Sequence, residues 1–177
     1  MKQNAQCIWF TGLSGSGKTT IANELKSILH ENNYFCIILD GDDMRSGVSW
    51  DLKFGISDRT ENVYRAAQFA KILLNNNVIA IVTLISPTHI MRRMAHDIIG
   101  DKFHLVHVNT PLEECERRDC KGLYSKARAG LIKDFTGIDS PYENPLLAEM
   151  TVNPDKSARE CAEFIFRRIK SHLYENN

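Results

Sequence analysis

Apolar and polar positions along this chain repeat on two periods, one suited to strands and one to helices. Cys7-Ile8-Trp9-Phe10 is a short apolar run ending in a glycine-rich loop. Lys18 to Glu31 then carries a helical stripe through Ile21, Leu25 and Leu29. Phe35 to Leu39 is a second apolar run, closed by Asp40-Gly41-Asp42. An amphipathic stretch from about Asp58 to Asn75 is broken by Asn75-Asn76-Asn77. Val78 to Ile85, rich in Val and Ile, predicts a strand buried on both faces. Thr88–Ile99 is expected as helix, Phe103–Val108 as strand, Leu112–Arg118 as helix and Met150–Val152 as a last short strand. Ser157 with Glu160 three residues on is a capping-box pattern opening a final helix. The stripe of that helix, Ala158, Cys161, Ile165, Ile169 and Leu173, is expected to face the core. Strands alternating with helices predict one α/β domain over residues 1–177, with a mostly parallel five-stranded sheet covered on both faces.

Composition narrows the classes that remain. The 177 residues are 43% hydrophobic and 25% charged, enough to bury a core without disulfides or metals. Lys plus Arg and Asp plus Glu each total 22, which argues against a nucleic-acid partner. The longest apolar run, Val78–Ile85, falls far short of the 18 or so residues of a membrane span, and residues 1–6 hold no apolar signal core. A cytoplasmic protein without a membrane partner is expected. Five cysteines with no C-x-x-C pair argue against a disulfide framework or structural zinc. Cys7 and Cys36 read as buried; Cys115 and Cys120, flanking charged residues, are expected to be partly exposed.

The first chemistry sits where strand one meets helix one. Gly12-Leu13-Ser14-Gly15-Ser16-Gly17-Lys18-Thr19 fills every fixed position of G-x-x-x-x-G-K-[ST]. Such glycines let backbone N–H groups turn inward around phosphate oxygens, and the helix N-terminus adds its positive end. With Thr20, this segment predicts an ATP site in which Lys18 reaches the β- and γ-phosphates and Thr19 ligands Mg²⁺. No N-K-x-D motif marks a guanine-reading GTPase. Ligands of doubly wound sheets bind beyond the carboxyl ends of the strands, so Asp42 is expected beside the triphosphate, holding Mg²⁺ or accepting a hydroxyl proton. Arg45 is expected on the first turn of the following helix, facing an anionic acceptor. Between Arg117 and Lys133, six basic residues stand against Asp119 alone. Bracketed by Gly122 and Gly130, this patch reads as a basic lid over about 117–137. His104 and His107, three apart on a strand, point to opposite faces and are not expected to share a metal.

These motifs together resemble the adenylylsulfate kinase family. The resemblance lies in Asp40-Gly41-Asp42-Asp43-Met44-Arg45, Asp51-Leu52-Lys53-Phe54 and Asp58-Arg59-Thr60-Glu61-Asn62. It continues through Leu84-Ile85-Ser86-Pro87, Lys121-Gly122-Leu123-Tyr124, Lys126-Ala127-Arg128-Ala129-Gly130 and Phe135-Thr136-Gly137-Ile138-Asp139-Ser140-Pro141-Tyr142-Glu143, in the family's order from Ile8 to about Val152. It implies a P-loop fold, Mg²⁺ with ATP as donor, adenylylsulfate as acceptor of a phosphoryl group at its 3′-hydroxyl, and a homodimer. It further implies that Phe54 and Phe135 sandwich the acceptor's adenine and that Arg45 and Arg59 grip its phosphosulfate. Asn62, Ile85, Ser86, Lys121 and Leu123 line the same pocket, and Arg117 stacks on the ATP adenine. Lys18, Asp42, Ser86 and Lys121 are the implied catalytic set. The family has been described with a phosphoserine at the position of Ser86; direct transfer, with Ser86 as a pocket residue, is the reading preferred here.

Departures cluster near the acceptor. Thr88-His89 follows Ser86-Pro87 where many members carry an aromatic residue and Arg; Cys120 stands where Pro is common and Ser125 where a basic residue is frequent. A kinase for another nucleotide anhydride, such as cytidine diphosphoramidate, shares most of these motifs. A non-catalytic ATP-binding module is the alternative of another class, and intact Lys18, Thr19 and Asp42 argue against it.

Overall fold

The computed structural model describes residues 3–146, 148–153 and 155–174. Its centre is a five-stranded sheet of β1 (Cys7–Thr11), β2 (Cys36–Asp40), β3 (Ile79–Thr83), β4 (Phe103–Val108) and β5 (Met150–Val152), in the order β2-β3-β1-β4-β5. All four pairings are parallel, with Cys7 registered against Ala80 on one side and Phe103 on the other. The central strands β1 and β3 are buried at every residue, as expected of strands covered on both faces. The second strand begins one residue later than expected, at Cys36, because Phe35 lies at the sheet edge and is 59% exposed.

The helices are α1 (Lys18–Glu31), α2 (Gly41–Ser46), α3 (Ile56–Asn75), α4 (His89–Ile99), α5 (Leu112–Arg118), α6 (Leu123–Arg128) and α7 (Ala158–Ile169). The chain crosses from β1 to β2 in one direction and from β2 through β3 to β4 in the other. Right-handed crossovers therefore put α1 on one face and α3 and α4 on the other. Accordingly α1 packs against α7, and α3 against α4. Ser157 and Glu160 form the expected capping box, and Cys161, Ile165, Ile169 and Leu173 reach the core, with Ala158 half-buried at its margin. No helix among the described residues is long and apolar enough to cross a membrane.

A second, smaller core lies under the lid segment, where Leu13, Cys115, Tyr124, Ala127 and Phe135 pack together. Cys115 is fully buried there, against the expectation of partial exposure, because it occupies the inner face of α5 while Glu113, Glu114 and Glu116 face outward. Cys120 is exposed. His104 and His107 take separate partners: His104 bonds Gln6 and Glu149, whereas the His107 ring stacks 6.1 Å from Tyr142.

Candidate active site

The carboxyl ends of β1 and β3, whose chains depart to opposite faces, open a cavity of about 280 Å³. Gly12 leaves β1 hard against β4: a Cβ there would sit 2.7 Å from the Val108 carbonyl, so no other residue fits. Gly17 begins α1 at φ +104°, in the left-handed region that glycine alone enters freely, and no side chain caps the helix. The first N–H groups of α1 therefore remain available to an anion.

Lys18 folds back beneath this loop. Its Nζ donates to the carbonyls of Gly12 (2.9 Å) and Leu13 (2.7 Å). Burial pushes its pKa down to about 8. The next residue is tied to the second strand: the Thr19 hydroxyl donates to Asp40 Oδ2 at 2.8 Å, and the Thr83 hydroxyl donates to the same oxygen at 2.6 Å. Asp40 Oδ1 accepts from the Asp42 amide at 2.9 Å, which caps α2. Burial opposes ionisation of Asp40, but the bonds from Thr83, Asp42 and Thr19 outweigh it and hold the pKa below the ordinary carboxylate value. Asp42 itself, largely exposed, is ion-paired with Lys121 of the lid.

Across the cavity stands a cationic wall. Arg45 falls in the last turn of α2 rather than the first, because the helix already begins at Gly41. Its guanidinium lies 4.7 Å from the Phe54 ring centroid and donates to the Lys53 carbonyl at 2.6 Å. The buried Arg59 donates to the carbonyls of Phe54 (2.7 Å) and Asp134 (3.0 Å), 5.7 Å from the same ring. Burial first, then repulsion from Arg45, brings Arg59 down to about 10. Asn62 is buried beside them with its Oδ1 unpartnered. Ser86, at φ +43°, completes the wall with Ile85. Thr11 donates to the Ile85 carbonyl at 2.6 Å, Arg92 to the Ser86 carbonyl at 2.7 Å, and the Trp9 indole to Ser86 Oγ at 2.9 Å. His89 is not a base for Ser86: its Nδ1 faces Arg92 at 3.0 Å, and its backbone N–H donates to Glu143.

One cavity thus collects Ser14, Gly15, Gly17, Lys18, Thr19, Thr20, Asp42, Arg45, Phe54, Arg59, Asn62, Ile85, Ser86, Lys121 and Leu123. Gly12, Leu13 and Ser16 belong to the loop that frames it but do not line it. Two expected residues lie elsewhere. Phe135 is buried in the lid core, edge-on to Tyr124 at 4.9 Å, and Arg117 is bound to Glu114 at 2.7 Å on the outside of α5. The lid is also less basic than the stretch 117–133 suggested. Arg117 and Arg118 pair with Glu114, Arg128 with Glu116 and Lys121 with Asp42, so two acids just upstream of that window and one from α2 offset much of its charge.

Sequence reasoning did not assign roles to Asp40, Thr83 or Trp9. Thr83 was signalled as the one hydroxyl inside an apolar strand, and Asp40 as the first carboxylate of Asp-Gly-Asp. The departures Thr88 and His89 stand behind the wall rather than on it. Thr88 caps α4 by accepting from the Met91 amide, and the cavity lining in this segment stops at Pro87.

Comparison with known proteins agrees with this architecture. A family model described as adenylylsulphate kinase matches residues 4–153. The chain is 46% identical to an adenylyl-sulfate kinase of Clostridium acetobutylicum over 173 residues, 97% of this chain and 86% of that protein. It is 47% identical to one from Pseudomonas aeruginosa over 176 residues, 99% and 88% of the two chains. Among solved structures, the Mycobacterium tuberculosis APS kinase CysC in complex with AMPPNP and APS superposes with a TM-score of 0.92 at 41% identity, covering 94% of this chain and 98% of that one. A shikimate kinase from Acinetobacter baumannii, at 20% identity and a TM-score of 0.58, shares the fold alone. With its glycine-rich phosphate loop facing a wall of paired arginines, and with relatives matched over nearly their full length, the chain belongs to the adenylylsulphate kinase family of ATP-dependent kinases.

Proposed function

We propose that residues 1–177 form one kinase domain that transfers the γ-phosphoryl group of Mg-ATP to the 3′-hydroxyl of adenylylsulfate, giving 3′-phosphoadenylylsulfate and ADP. The observation that carries this reading is the single cavity holding the phosphate loop on one side and Arg45, Arg59, Asn62 and Phe54 on the other. A P-loop kinase for an uncharged sugar-like acceptor has no use for two guanidiniums grouped around one aromatic ring.

Phosphoryl transfer brings two anions into line, so the protein's task is positioning and charge stabilisation. The loop from Gly12 to Thr20 holds the triphosphate through backbone N–H groups. Lys18 leaves the Gly12 and Leu13 carbonyls for the phosphates, which offer it a full charge in place of two dipoles. Thr19 and Asp40 present hard oxygen donors 2.8 Å apart on the phosphate side, with the Asp42 carboxylate also on the cavity. Such donors fit Mg²⁺: Thr19, Asp40 and Asp42 would hold it, and when bound it would neutralise charge on the triphosphate.

Arg45 and Arg59 take the phosphosulfate of the acceptor, and Asn62 Oδ1, unpartnered in the protein, accepts a hydrogen bond from an N–H or O–H of the acceptor's nucleoside. Phe54 offers one face to the adenine, and Phe135 reaches the other when the lid closes. The Asp42 carboxylate orients the 3′-hydroxyl and accepts its proton, while Lys121 passes from Asp42 to the transferring phosphoryl group. Arg117 exchanges Glu114 for the ATP adenine in the same closure. Transfer is direct. The active form is a cytoplasmic homodimer. The test is an acceptor panel of adenylylsulfate, cytidine diphosphoramidate, shikimate and gluconate with Mg-ATP, following ADP release. Adenylylsulfate is expected to dominate, and faster turnover of another acceptor overturns the assignment.

A further inference from the structure

Ser86 is 2% exposed, yet it lines the acceptor side of the cavity in a left-handed backbone conformation. A residue with a side chain stays there only where its surroundings impose it. Arg92 and Thr11 account for the backbone, since they hold the carbonyls of Ser86 and Ile85. The side chain has its own partner in the middle of the sheet. Trp9 is fully buried on β1, its ring 5.7 Å from Phe103, and its Nε1–H reaches Ser86 Oγ across 2.9 Å.

An indole N–H only donates, so Ser86 Oγ is the acceptor in this contact. The hydroxyl keeps its single hydrogen, for which no acceptor stands among the described residues. A buried hydroxyl leaves its hydrogen unpaired only at a cost, and the open direction from Ser86 is the cavity.

We propose that Trp9 is a positioning residue whose indole N–H fixes the Ser86 hydroxyl as a hydrogen-bond donor into the cavity, aimed at an anionic oxygen of the bound acceptor. This rests on the acceptor placement proposed above. Ser86 is a poor nucleophile in this setting, because no base among the described residues takes its proton: the His89 ring turns its Nδ1 to Arg92, 3.0 Å away.

A double-mutant cycle tests the relay. Ser86→Ala should raise the acceptor KM roughly 10- to 150-fold, the loss expected of one hydrogen bond to an anion, with the ATP KM unchanged. Trp9→Phe should do the same in the parent protein but change the acceptor KM by less than about twofold in the Ser86→Ala background. Additive effects would mean that Trp9 acts through packing alone, and would overturn the proposal. Benzothienylalanine at position 9 keeps the ring volume and removes the N–H, so it decides the matter if Trp9→Phe does not fold. Phosphate that appears on Ser86 with ATP alone and discharges to acceptor would overturn the proposal equally. If the parent protein does not phosphorylate adenylylsulfate, the functional assignment fails first, and the cycle is read on whichever acceptor of the panel it does use.

Discussion

The ammonium of Lys121 closes on the carboxylate of Asp42, joining the lid to α2 across the mouth of the phosphate site. The bond raises the pKa of Lys121 above the ordinary lysine value. Both side chains are more than half exposed, and exposed ion pairs contribute only about 0–1 kcal/mol to folding. The pair therefore stores two opposite charges beside the transfer site without tying the fold to them. Lys121→Ala is expected to leave the melting temperature within about 4 °C of the parent while lowering kcat by roughly 10²-fold, the loss of one preorganised charge contact. Thermal melts and initial rates on one preparation check it; a large drop in melting temperature with normal kcat would make Lys121 structural.

Lys18 gives a prediction in protons. With its pKa near 8 in the free protein, it is charged at pH 7 and mostly neutral at pH 9. A triphosphate in the loop favours the charged form and restores the proton. ATP binding should therefore take up close to no proton at pH 7 and approach one per site at about pH 9. Calorimetry in buffers of different ionisation enthalpy reads this directly. Lys18→Ala should abolish the uptake and cut turnover by about 10²-fold or more.

Asp40 carries the third prediction. Its folded pKa is depressed, so its contribution to stability is complete above the ordinary value of 3.8 and is lost as pH falls through the lower folded value. Asp40→Asn replaces the oxygen that accepts from Thr19 and Thr83 by a group that only donates, so both hydroxyls must turn round to accept, and the carboxylate charge beside the phosphate site is lost. The variant should melt lower at neutral pH, lose less stability than the parent on acidification, and need more Mg²⁺ for half-maximal rate. An unchanged Mg²⁺ requirement would separate Asp40 from the phosphate side of the site.

Much of this arrangement is legible locally. The phosphate loop, the α7 capping box and the fully buried β3 are each written within a dozen residues, because each depends on neighbours in sequence. What could not be read depends on partners far apart. Asp40 becomes the hub only because parallel pairing of β2 with β3 sets Asp40 directly beside Thr83. Trp9 meets Ser86 across 77 positions. Cys115 looked half-exposed among charges, yet α5 turns that single position inward onto Tyr124 and Phe135 while its glutamates bind Arg117, Arg118 and Arg128 outside. Charge counted along a stretch misses such pairing, because the acids lay a few residues upstream of the basic run.

Phe54 and Phe135 read as an equal pair in sequence, but the fold gives them different environments and hence different forecasts. Phe54 is 52% exposed on the cavity wall beneath two guanidiniums, so truncating it removes little buried surface. Phe54→Ala should raise the acceptor KM by roughly 5- to 150-fold, the range set by 1–3 kcal/mol of base–aromatic stacking, with the ATP KM and melting temperature nearly unchanged. Phe135 is 7% exposed in the lid core, and its loss leaves a void beside Tyr124 and Leu13. Phe135→Ala should cost about 3–5 kcal/mol where that core unfolds with the domain, lowering the melting temperature on the order of 10 °C. If Phe135 also reaches the adenine when the lid closes, its acceptor KM should rise as well, measured well below the melting transition. A stability loss at Phe135 with an unchanged acceptor KM would restrict stacking to Phe54 and leave Phe135 as the residue that builds the lid.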